Sequence, residues 1–139
     1  PLLHCPDPVL QEILKRGGIP FSSDPSLIDD AGIGITRCES LIARFGTILV
    51  SSHLNRGRKI IAFPEIHLVY ATTSQLVTDI RDALKRIRLK YRGDFPSMLT
   101  LITGPSRTAD IEKTLVMGAH GPKELYVFLT DDGGLSLPA

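Results

Sequence analysis

Met98-Leu-Thr-Leu-Ile-Thr103 is a short apolar run, Gly104-Pro105 breaks it, and Thr108-Ala-Asp-Ile-Glu-Lys-Thr-Leu-Val-Met117 resumes at helical spacing. Gly118 ends that helix and Leu125-Tyr-Val-Phe-Leu-Thr130 follows as another strand. Strand, helix, strand is the repeating unit of a parallel sheet. The pattern continues upstream. Thr47 to Ser51 is apolar through its centre, as a strand buried on both faces would be. Ile33 to Thr36 reads as a strand, Ser40 to Phe45 as a helical or turn segment, and Pro64 splits the apolar runs 60–63 and 66–70. Asp7-Pro8 and Asp24-Pro25 are helix starts, the first leading into Val9, Leu10, Ile13 and Leu14 on one face. Thr72 and Gln75 have capping-box spacing. Leu76, Ile80, Ala83, Leu84, Ile87 and Tyr91 then recur every three or four residues, predicting a long helix that Gly93 ends. On it Ile80 and Ile87 are expected to be buried, and Arg86 and Lys90 solvated. The prediction is one α/β domain over 1–139, with a mostly parallel sheet, helices on both faces and a frayed tail at 131–139. Pro1-Leu-Leu-His-Cys5 reads as the end of a short strand, so further N-terminal structure is expected upstream.

With 139 residues the chain has the size of one domain, able to bury a core without disulfides or metals. The 16 Lys+Arg balance 15 Asp+Glu to +1, so no global field draws in nucleic acid or an anionic membrane. No apolar run approaches the ~18 residues of a membrane span. Cys5 and Cys38 form no Cys-x-x-Cys pair, and with no signal peptide at the start a reduced, cytoplasmic protein is expected. The basic stretch from Arg81 to Arg92 lies on the long helix without an aromatic platform and reads as a solvated face.

Ligands of a parallel sheet sit beyond the carboxyl ends of its strands, which points to the loops 52–59 and 104–108. Gly104, Ser106, Arg107 and Thr108 place hydroxyls, a guanidinium and free N–H groups at a helix start, suited to a carboxylate or phosphate. Asp110 and Glu112 in the same first turn argue for plain capping instead. Ser106, Asp110 and His120 have the residue types of a hydrolytic triad, but the G-x-S-x-G glycines are missing and Asp110 lies too close to Ser106. Expected geometry brings Arg107 and Arg58 to one end of the sheet, with His120 near as a hydrogen-bond or proton donor. None of the four histidines has metal-pair spacing, so no metal is expected in this chain.

The block 101–112, Leu-Ile-Thr-Gly-Pro-Ser-Arg-Thr-Ala-Asp-Ile-Glu, followed by Gly118-Ala-His-Gly-Pro122, closely resembles the signature of the LUD-domain family. Phe45-Gly46-Thr47, Arg58, Pro64 and Ile66-His67 agree in spacing, although Arg44-Phe45 stands where the family commonly has Glu-Thr. The resemblance implies a fold similar to CoA transferases and ribose-5-phosphate isomerase. It adds Arg58 and His67 to the ligand-binding candidates. It also implies a part in oxidising L-lactate to pyruvate beside partner proteins that carry the iron–sulfur clusters, with no cofactor in this chain. Two functions therefore stand open: an accessory or assembly subunit of that system, or a free-standing enzyme acting on a phosphorylated or CoA-linked small molecule. Homo-oligomer formation through exposed strand edges is compatible with either.

Overall fold

The structure, a computed structural model, describes residues 1–55, 59–105 and 121–134. Its strands form two sheets. In the first, β1 (Leu3–His4), β2 (Ile33–Arg37), β5 (Ile66–Thr72) and β8 (Glu124–Thr130) lie in that order, all parallel. In the second the order is β6 (Leu76–Val77), β3 (Ser40–Ile42), β4 (Thr47–Ser51) and β7 (Leu99–Ile102). Here β3 runs parallel to β6, while β4 is antiparallel to both β3 and β7. Four of these six pairings are parallel, so the α/β class with a mostly parallel sheet stands.

Alternation along β5 explains the layering. His67, Val69 and Ala71 point one way and are buried; Val69 and Ala71 join Cys38, Ile48 and Val50 between the sheets. Leu68 and Tyr70 point the other way, onto a core of Cys5, Leu10, Leu14 and Ile35 built around α1 (Pro8–Arg16). Asp7 starts α1 by accepting from the Val9 N–H at 2.9 Å, and its second oxygen takes the Arg37 Nε at 2.5 Å. One side chain thus caps the helix and fastens it to the end of β2. Only Leu10 and Leu14 of the predicted helix face are buried; Val9 and Ile13 are exposed. On the opposite face, α3 (Lys59–Ala62) crosses β2 at Gly34. A Cβ there would lie 2.9 Å from both Ile60 Cδ1 and Pro64 Cγ, so glycine permits the approach.

Two local expectations hold only in part. Of the helical or turn segment expected over 40–45, the turn is present, at Ala43 to Gly46 with Gly46 at φ 62°, while Ser40–Ile42 is a strand that this turn leads into β4. Thr72 and Gln75 do form reciprocal capping bonds, but they close a single 3-10 turn, Thr73–Gln75, before β6. The long helix begins later. Asp79 caps it, with Asp82 reaching back to the Asp79 N–H, and α4 runs Ile80–Lys90. It lays Ala83 and Ile87 on Ile42, Leu49 and Val77 of the second sheet. The first residues of the expected tail are tied down: Asp132 accepts from Thr73 Oγ1, Ser74 N and Ser74 Oγ at 2.9, 3.1 and 2.5 Å. The predicted helix 108–117 and residues 135–139 lie outside the described residues.

Candidate functional site

Of the sequence-predicted ligand residues, Ser106, Arg107, Thr108, Arg58 and His120 lie outside the described residues. Gly104 follows β7 with a left-handed φ of 78°, a conformation that glycine adopts freely. The geometric reason for bringing the two loops together does not hold. Loops meet at one rim only when their strands run the same way, and β4 and β7 run opposite ways. Ser51, where β4 leads into the 52–58 loop, pairs with the start of β7 at Leu99. Ile102, where β7 leads into Gly104, pairs with Ile48 near the start of β4. Thr103 accordingly bonds Thr47 at 2.8 Å, at the far end of the sheet from Ser52.

His67 is described, and it is fully buried. Its Nε2 is hydrogen-bonded to Thr36 Oγ1 at 2.8 Å, while Nδ1 has no partner. Burial pushes its pKa down to about 4, so the ring is neutral at physiological pH. Here it is an interior residue, not a surface ligand.

A different polar centre forms where β2 ends, β4 ends and α4 ends. Glu39, between β2 and β3, has a side chain only 2% exposed. Its carboxylate accepts from Ser51 Oγ at 2.5 Å, Tyr91 OH at 2.5 Å and Lys90 Nζ at 2.8 Å. Burial lowers the Lys90 pKa, but the hydrogen bond and charge of Glu39 outweigh it and hold the ammonium above its ordinary range. Tyr91 is raised by burial first and then by Glu39. The His53 ring meets the Tyr91 ring edge-on at 4.9 Å and donates from Nε2 to the Asp94 carbonyl at 2.9 Å. Ser52 and Ser97 lie hydroxyl to hydroxyl at 3.2 Å.

The chemistry this allows is positional. Ser51 directs its proton at Glu39 and accepts from the Leu54 N–H at 3.4 Å, so it starts the short helix α2 (Ser52–Asn55). It is 2% exposed and not placed to attack a substrate. The cluster sets the direction in which α2 leaves the end of β4. Sequence reasoning missed Glu39, and the available signal was a lone acid between two apolar strands. It also placed Lys90 and Arg86 on a solvated face. Lys90 is exposed as expected but also closes the Glu39 cluster, and half-buried Arg86 donates to the Ser74 carbonyl at 2.7 Å.

Lys90→Met, which keeps the aliphatic stem, is expected to cost about 1–2 kcal/mol in urea denaturation. That is less than the ~3–5 kcal/mol of a broken buried pair, because Lys90 is 54% exposed and water screens it. A double-mutant cycle with Glu39→Gln should show coupling; strictly additive losses would mean that the pair does not interact.

Among the described residues no group of three or more His, Cys, Asp and Glu is placed to hold a metal ion. No described helix is long and apolar enough to cross a membrane.

Together these features define a two-sheet α/β protein with a buried, anchored carboxylate where β4 and α4 end. The LUD-domain family model matches residues 26–130, and the chain belongs to that family. It is 36% identical over 103 residues to lactate utilization protein C of Shouchella clausii, covering 73% of this chain and 45% of that protein. The protein of the same name from Bacillus subtilis is 35% identical over 106 residues, covering 74% and 44%. The chain thus spans a little under half the length of these curated relatives. A crystal structure of a DUF162 family protein from Deinococcus radiodurans superposes with a TM-score of 0.57 at 20% identity, covering 93% of this chain and 87% of that one. That likeness shows the fold.

Proposed function

We propose that this chain serves lactate utilisation, as an accessory or assembly subunit of a cytoplasmic system that oxidises L-lactate to pyruvate through iron–sulfur partner proteins. One observation carries the reading: 36% identity over 103 residues with a lactate utilization protein C. The parallel first sheet is compatible with the related proposal of a fold like that of CoA transferases and ribose-5-phosphate isomerase. The clusters are assigned to partners on thiol chemistry. Cys5 and Cys38 are buried in separate cores, and burial pushes their thiols up to about 11 and about 12. Cluster ligation needs thiolates, which both positions disfavour.

The test is affinity purification of the native protein from cells grown on L-lactate, with iron and labile sulfide measured in the eluate. Co-purifying cluster proteins, and loss of growth on L-lactate after deletion, are expected. If deletion leaves that growth unchanged and no cluster protein is recovered, the assignment is wrong. Saturable thermal stabilisation by an acyl-CoA or a sugar phosphate without partners would instead favour a free-standing enzyme.

A further inference from the structure

The chain leaves the first two strands of the parallel sheet towards opposite faces. After β1 it passes to α1, which packs with Ile35, Leu68 and Tyr70 on one face. After β2 it passes to Cys38 and the second sheet, which pack with Val69 and Ala71 on the other. Where neighbouring parallel strands diverge in this way, a crevice opens beyond their carboxyl ends, and ligands of such sheets bind there. The residues at this divergence are Asp7, just past β1, and Arg37, the last residue of β2.

Asp7 fixes the Arg37 guanidinium but occupies only one of its nitrogens. The Arg37 Nε donates to the Asp7 carboxylate, which is 1% exposed and also caps α1. A guanidinium oriented in this way loses little freedom when a ligand arrives. Among the described residues nothing accepts from either Nη, and the side chain is 33% exposed. The open Nη edge presents two N–H groups that match the two oxygens of a carboxylate. Tyr70 supplies a further donor. It pairs in register with Arg37, so the two side chains leave the same face one strand apart, and its hydroxyl has no described partner. Asp7 already balances part of the Arg37 charge, and α1 brings no second cation, because Lys15 and Arg16 lie in its last turn, away from Asp7. The site therefore suits a singly charged group and not a phosphate dianion. We propose that Arg37 and Tyr70 bind the carboxylate of a small monocarboxylic acid where β1 and β2 diverge.

The proposal does not rest on the lactate reading, and its test reads binding rather than growth. Acetate, pyruvate, L-lactate and inorganic phosphate are the probes, titrated into the whole chain and followed by NMR at the backbone amides of residues 37 and 70. At least one of the three carboxylates should shift these amides saturably, and phosphate should bind more weakly. Arg37→Lys keeps the charge but loses the planar fork, and should weaken binding about tenfold or more. Tyr70→Phe leaves the Asp7–Arg37 pair intact and should weaken binding about fivefold, as for one lost hydrogen bond. It keeps the test decisive should Arg37→Lys disturb folding, which thermal denaturation will report. Saturation by none of the carboxylates, tighter binding of phosphate, or an affinity that either substitution leaves unchanged in a folded chain overturns the proposal. Arg37 would then serve only to tie α1 to the end of β2.

Discussion

Ile87→Ala is expected to destabilise the chain by about 2–5 kcal/mol. Ile87 is 1% exposed and sits where α4 meets the second sheet, against Ile42, Leu49, Val77 and Ala83. Three methylene-sized carbons would be lost from a site walled by three short strands, β3, β4 and β6, and by α4 itself. Those walls cannot collapse without dragging β3 off its pairing with β4 and β6. Ile80 supplies the control. It is half-buried and borders a shallow apolar pocket with Phe45, Leu101 and Thr103, so water already reaches its surroundings. Ile80→Ala should cost only about 1–2 kcal/mol. Urea denaturation of the two variants decides the matter. Equal losses would mean that α4 is rotated from the orientation described.

Long periodic or continuously apolar segments were legible: α4 as the longest described helix, β4 as a buried strand, β8 as the last described strand. Each carries enough residues to state its own period. The strands β3 and β6, of three and two residues, were not legible, because their identity comes from the backbones beside them. Missing them concealed the second sheet, and with it the antiparallel β4–β7 pair, from which the two predicted ligand loops start at opposite ends. The Glu39 cluster was concealed for a related reason. Its partners Ser51, Lys90 and Tyr91 lie 12, 51 and 52 residues away, so no local spacing joins them. Local signals found the helix that bears Lys90 and Tyr91; only the tertiary arrangement turns its end towards Glu39.

His67 should make stability depend on pH with a defined sign. Its pKa is about 4 in the folded chain against 6.5 for the free side chain, and burial is the cause. Between these values the unfolded state binds a proton that the folded state refuses, so stability falls as the pH falls. The contribution is complete above about pH 6.5 and is lost on the way down to about pH 4. The total is about 3 kcal/mol, a large part of the ~5–15 kcal/mol that holds a typical domain together. His4, also buried and lowered, titrates with the same sign, so a simple pH titration of stability would mix the two. His67→Gln separates them: glutamine does not titrate and can still bond Thr36. Subtracting its urea-denaturation profile from that of the unaltered chain should leave a slope confined to this window. A difference that stays flat from pH 7 to pH 4, or an NMR titration placing His67 near 6.5, would show that water reaches the ring. The unpartnered Nδ1 would then be solvated, and the space between the parallel sheet and α3 would be open rather than packed.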